Sequence, residues 1–238
     1  MDTQTIDQKV KEIKQSLRQM MDGATAQSMR QKGLDYHLNW GATIPRLREM
    51  SEEVKVNSVK FATATETTAE TNSTLYALSS KLWKENVREC KILATMLMPP
   101  DEMLPEVADI WMEQTPTVEI AEQAAFNLYQ HLPYAADTAF LWLASPDNLP
   151  QLCGYHILSR LFMRKQEFNE RAINEFLDQA ITAIQSASIS TEGAATNVCP
   201  PSALQKAAMQ AVIHFAGMSI MHERLAKSAI RSIGLSFL

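Results

Sequence analysis

A pattern recurs along the middle of this chain at a spacing of about thirty residues, and no other feature constrains the fold as strongly. Three segments, YALSSKLWKENVRECKILATML, PEVADIWMEQTPTVEIAEQAAFNLY and DTAFLWLASPDNLPQLCGYHILSRLF, each read as a helix ending near a tryptophan, a short turn, and a second helix carrying a small residue. The tryptophans stand at positions 83, 111 and 142. A helical hairpin has two apolar faces and cannot cover both alone, so successive hairpins must stack and share a core. A fourth copy pairs residues 173–184 with 204–215 across a lengthened turn. With only 7 Gly, 13 Met and no alternating β-branched run, nothing in the chain asks for a strand.

The expected architecture is therefore all-α, a HEAT-like helical-repeat solenoid or armadillo-type superhelix, forming a single domain over 1–238. Small residues at Ala94, Ala121 and Gly154 would let neighbouring helices approach closely. Ahead of the repeats, Ile6, Val10, Ile13 and Leu17 fall at three- and four-residue spacing, which predicts one amphipathic helix ending at Asp22-Gly23. Pro45 suits the first turn of another helix running through Leu47 and Met50, where its missing N–H costs nothing. Residues 62–74 and 186–201, rich in Thr, Ser and Ala and poor in large apolar groups, read as flexible loops.

The net charge of −5 hides an asymmetry. Residues 92–159 contain no Lys or Arg, yet carry Asp101, Glu102, Glu106, Asp109, Glu113, Glu119, Glu122, Asp137 and Asp147. Only the flanks are basic, so any grip on phosphate must come from them. The polar start MDTQTIDQKV has no signal-peptide core, and no stretch approaches the ~18 apolar residues of a membrane span. A cytoplasmic protein without membrane contact is expected. Cys90, Cys153 and Cys199 form no CxxC pair and read as free buried thiols. The five histidines form no ligand cluster and no glycine-rich phosphate loop is present, so neither metal nor cofactor is expected. His156 and His214 read as hydrogen-bonded core imidazoles.

Two segments, LNWGATIPRLREM at 38–50 and LWKENVRECKILATML at 82–97, resemble the AlkD-type DNA alkylation repair proteins, the HEAT-like DNA glycosylases. The family's apolar-Gly-x-x-x-Pro-x-Leu-Arg pattern is matched by Gly41, Pro45, Leu47 and Arg48. Its Leu-Trp, Arg-Glu and following Ala are matched by Leu82, Trp83, Arg88, Glu89 and Ala94. With the hairpins, the resemblance spans roughly residues 30 to 235. Arg88 and Glu89 are expected to form a salt-bridged pair between repeats rather than a substrate contact.

The resemblance also implies where a site would lie. Excising an alkylated purine means stabilising a cationic base and a developing oxocarbenium sugar, tasks suited to indole faces and a carboxylate. The family carries a Trp four residues before an Asp, an Arg pair opening a later helix, and another Trp beyond a Lys-Ala step. Those positions hold Val118, Glu122, Gln151 with Leu152, and Gln210 after Lys206-Ala207. Only the carboxylate survives, as Glu122, which is thus the catalytic candidate; Glu119 lies three residues away on the same helix. Trp111, Trp142, Tyr129, Tyr134 and Tyr155 are available as replacement aromatics but read as core. The expectation is a relative that binds double-stranded DNA through Arg46, Arg48, Lys81, Lys84, Arg164, Lys165 and Lys206, with glycosylase activity weak or absent. The alternatives are an active alkylpurine glycosylase using Glu122, and a scaffold for a protein partner.

Overall fold

The structure, a computed structural model, describes residues 3–60, 68–189, 199 and 201–235. Twelve α-helices and two short 3-10 turns account for most of them, and no strand occurs among the described residues. They form two compact units, Met1–Pro133 and Tyr134–Leu238.

In the first unit, α1 (Thr3–Gln19) and α2 (Gly23–Gln31) precede α3 (Ile44–Lys60), α4 (Thr68–Trp83), α5 (Arg88–Leu97), α6 (Pro105–Glu113) and α7 (Val118–Asn127). The hairpins run α4–α5 and α6–α7, as the repeat requires. Packing is in two layers. One is α3–α5–α7; the other joins α1 to α4, and α4 to α6 through Trp83 and Trp111, whose rings stack at 4.2 Å. Repetition of tryptophan at the same place in consecutive hairpins thus becomes a direct contact. All ten residues of α5 are buried, because this helix has a neighbour on every side. Pro45 sits in the first turn of α3, and Leu47 and Met50 are buried beneath it.

The second unit comprises α8 (Ala135–Leu143), α9 (Asn148–Met163), α10 (Glu170–Ile189), α11 (Pro201–Ala216) and α12 (Ile220–Ser232). Here α9 packs on α8 and α11, and α11 packs in turn on α10 and α12. Gly154 is needed where α9 meets α8: a Cβ there would lie 2.8 Å from the Ala139 carbonyl oxygen. Phe162 centres the core, edge-on to Phe176 at 4.8 Å and to Phe215 at 5.2 Å, a geometry worth ~0.5–1.5 kcal/mol per pair beyond burial.

Three local expectations need correction. Residues 68–74 are not loop: they form the first turns of α4, where Leu75 and Leu78 one turn further on bury and draw the Thr- and Ser-rich turns into the helix. Residues 62–67 lie outside the described residues. Of the stretch 186–201, residues 186–189 end α10 and Pro201 opens α11, while 190–198 and 200 lie outside the described residues. Asp22 ends no helix by itself; it N-caps the short α2, its carboxylate accepting from the Ala24 and Thr25 N–H groups. The three cysteines are buried and none forms a disulfide.

Lys91 is a buried cation of this fold. Its ammonium donates to the Trp83 carbonyl at the C-terminus of α4 (2.9 Å) and lies 4.3 Å from the Trp83 ring centroid. Burial pushes its pKa down to about 8. At this residue the folded state therefore binds fewer protons than the unfolded state between about pH 8 and the ordinary value of 10.5, and its own contribution to stability rises with pH across that window, opposite in sign to that of the buried thiols of Cys90 and Cys153, whose pKa values burial pushes up. Lys91→Met should abolish this rise relative to the parent in urea titrations at stepped pH. An unchanged difference between the two proteins from pH 7 to 10.5 would refute the assignment.

Candidate functional site

The two segments that carry the resemblance dock on each other. Arg88 and Glu89 open α5 and are 1% and 0% exposed. Glu89 accepts the N–H groups of Trp40 (3.2 Å), Gly41 (3.0 Å) and Ala42 (3.2 Å), so one carboxylate satisfies three consecutive backbone donors of the loop leading into α3. Arg88 answers from the other side, its Nη1 donating to the Ala42 carbonyl (2.9 Å) and to Glu89 (3.2 Å). The Arg88 backbone N–H donates to the Leu38 carbonyl at 3.0 Å.

The remaining edge of the Arg88 guanidinium grips the next hairpin. Nε and Nη2 donate to the two Glu119 oxygens at 2.8 and 2.5 Å, a forked pair between α5 and α7. Tyr36 donates its hydroxyl proton to Glu119 as well, and Thr117, the N-cap of α7, stands 2.9 Å from the Tyr36 oxygen. Burial alone would raise the Glu119 pKa; the hydrogen bonds and charge of Arg88, with the Tyr36 bond, outweigh it and hold the group below its ordinary value. Tyr36 is pushed far up, by burial first and by Glu119 second. This network is a clamp. It spends Glu119, and with it one of the nine carboxylates of the acidic middle, on an ion pair.

An exposed face remains in the α3–α5–α7 layer. Val118, Glu122 and Phe126 follow one another at four-residue spacing on α7, half-buried, exposed and exposed respectively. From α3, Arg48 is exposed and its guanidinium lies 5.7 Å from the Phe126 ring centroid, while Arg46, also exposed, projects from another side of the helix, where, behind the Thr25 hydrogen bonds, its charge helps lower the Asp22 pKa. Partial burial and the Glu119 charge raise the Glu122 pKa. Five of the other carboxylates of the acidic middle, Asp101, Glu102, Glu106, Asp109 and Glu113, lie on a 3-10 turn and α6, away from this layer.

The other sequence-derived positions scatter. Lys81 pairs with Asp7 of α1, in the other layer, and Lys84 is exposed in the turn after α4. In the second unit, Leu152 is 1% exposed and belongs to the core rather than a groove, because α9 turns that side to α8 and α11. Gln151 is half-buried and donates to the Ser145 carbonyl at 2.7 Å. Lys206 and Gln210 are exposed one turn apart on α11, and Arg164 and Lys165 are exposed just after α9, with Lys165 at φ 57°.

His214 is hydrogen-bonded as expected, though half-buried rather than core: it lies between Ser159 Oγ at 2.5 Å and Gln210 Nε2 at 2.8 Å, and with the Gln210 amide donating, the imidazole carries its proton on Nδ1 and donates to Ser159. Burial and the nearby Arg160 lower its pKa, and the same two causes bring His156 down to about 4. Sequence reasoning missed Phe126, which the four-residue stripe through Val118 and Glu122 would have revealed. Among the described residues no group of three or more His, Cys, Asp or Glu is placed to hold a metal, and no helix is long and apolar enough to cross a membrane.

The sequence profile of a family described as DNA alkylation repair enzyme matches residues 13–188. A solved structure described as a new family of proteins related to the HEAT-like repeat DNA glycosylases with affinity for branched DNA structures superposes with a TM-score of 0.70. It is 15% identical in sequence, and the match covers 93% of this chain and 81% of that one. No curated protein matches the chain at a significant level. The likeness shows the HEAT-like helical-repeat fold.

Proposed function

Because the chain belongs to the DNA alkylation repair enzyme family, we propose that it is a DNA-binding member whose base-excision chemistry is lost or greatly weakened. One observation carries this reading. Beside Glu122 the position equated with the family's indole is Val118, and the tryptophans of the first unit, Trp40, Trp83 and Trp111, are all buried, so none has moved to replace it. Tyr129, Tyr155 and Trp142 are likewise core residues. Each lost indole contact forfeits ~0.5–2 kcal/mol of attraction to a cationic base. The exposed cations Arg46 and Arg48 in one unit, and Arg164, Lys165 and Lys206 in the other, support contact with phosphate. The structural relative's affinity for branched DNA supports a ligand of that kind here.

Titrating a fluorescent duplex and a three-way junction of equal length at several salt concentrations tests the proposal. Neutralising ~3–5 phosphates gives a slope of log K against log salt of about −3 to −5, with duplex Kd near ~10⁻⁴–10⁻⁶ M at physiological salt. The junction should bind more tightly than the duplex. Absence of binding to either DNA even at low salt would end this reading and favour a protein partner.

A second reading, an active alkylpurine glycosylase, is favoured by one fact: Phe126 stands one turn from Glu122 on the same exposed side of α7. Phenyl is a weaker cation–π partner than indole. Release of 3- or 7-alkylated purines from duplex DNA is expected at background rate; robust release that vanishes in Glu122→Gln would establish the second reading instead.

A further inference from the structure

Phe126 is 38% exposed, and isolated apolar groups at that level are common, so exposure by itself decides nothing. What distinguishes this ring is its neighbour. The Arg48 guanidinium comes from a different helix, reaches cation–π distance of the ring and remains at the surface. A guanidinium held beside a ring keeps donors in its fork that a phosphate oxygen can accept. With the guanidinium over one side of the ring and still exposed, ring and cation together offer partners to the two halves of a nucleotide, a flat base that stacks on the ring and an anionic phosphate that the fork holds.

Bases inside a duplex have both faces covered by their neighbours and cannot offer one to a side chain. A base without a partner, at a bulge, branch point or flap, can be displaced from the stack at low cost. Carboxylates on the neighbouring turns are partly compensated: Glu119 is bound to Arg88, and Glu52, one turn beyond Arg48 on α3, pairs with Lys55, while Arg46, two residues before Arg48, projects from another side of the helix.

We infer that Arg48 and Phe126 form a stacking site for one unpaired nucleobase, the ring taking the base face and Arg48 holding the adjacent phosphate. The inference rests on the DNA-binding reading above and adds a base as a recognition element to contacts that otherwise read only phosphate.

The test uses the full chain and three DNAs of equal length: a perfect duplex, a duplex with one bulged base, and the same bulge carrying an abasic tetrahydrofuran unit. The parent protein should bind the bulged base about 5- to 100-fold more tightly than the abasic bulge, the range that stacking one base on an aromatic ring supplies. Phe126→Ala should bring that ratio to one, and Phe126→Trp should keep or widen it. Arg48→Ala should weaken all three DNAs and make the salt slope shallower by about one. A ratio near one in the parent, or one that Phe126→Ala leaves intact, overturns the stacking site while duplex binding still stands. Failure of the parent to bind any of the three overturns the DNA-binding reading itself.

Discussion

Arg88→Ala should lower the free energy of unfolding by about 3–5 kcal/mol, the cost of leaving buried charges without their partner. The guanidinium serves four acceptors: both oxygens of Glu119, the Glu89 carboxylate and the Ala42 carbonyl. Its removal strands Glu119 against Tyr36 and withdraws the only cation paired with the fully buried Glu89 among the described residues. Arg88→Lys should recover little, since an ammonium cannot span the two Glu119 oxygens and reach Ala42 together. Urea unfolding at pH 7, followed by tryptophan fluorescence, measures the change; a loss below ~1 kcal/mol would show that the pair is solvated and of the ordinary surface kind. The same ion pair makes the fold acid-sensitive. The folded-state pKa of Glu119 is depressed, so its stabilisation is fully present above the ordinary value near 4.5 and is lost as pH falls through the lowered one.

Gly41→Ala is the second large effect, and Gly33 supplies its control. Both glycines adopt positive φ, +80° at Gly41 and +81° at Gly33. A Cβ at Gly33 meets nothing within 4 Å, so Gly33→Ala should cost only the left-handed backbone conformation, about 1 kcal/mol. At Gly41 the added Cβ would lie 2.1 Å from the Asp22 carbonyl oxygen, an overlap with backbone that no side-chain rotation relieves. The loop must move, and moving it disturbs the three N–H groups held by Glu89 and the Asp22 N–H bond to the Trp40 carbonyl (2.8 Å). We expect a total of ~2–4 kcal/mol from strain and overpacking combined. Equal losses in the two variants would show that the close approach to Asp22 carries no energy.

Helical hairpins were legible in the chain because their signal is local. Apolar residues at three- and four-residue spacing, a tryptophan closing each first helix, and Pro45 at a helix start depend only on neighbours in sequence, and the structure keeps all of them. The same locality explains the failure at residues 68–74. Thr and Ser have weak helix preference, and nothing within that window announces that Leu75 and Leu78 will bury and hold the preceding turns. Asp22-Gly23 was recognisable as a break but not as the cap of another helix, since α2 buries none of its residues and so leaves no apolar period to detect.

Residue roles divide along the same line. The chain alone determines that Arg88 and Glu89 are adjacent and that Glu119 and Glu122 share a helix face. Which of these charges are spent was settled only by long-range packing: α5 packs against the 38–42 loop on one side and α7 on the other, burying Arg88 and Glu89 and tying Glu119 to the guanidinium while Glu122 stays exposed. Arg48 and Phe126, 78 residues apart, carry no mutual signal in a sequence, because the distance between two side chains on different helices is a property of how the helices pack. Their meeting at 5.7 Å on an exposed face is a decision of the tertiary structure.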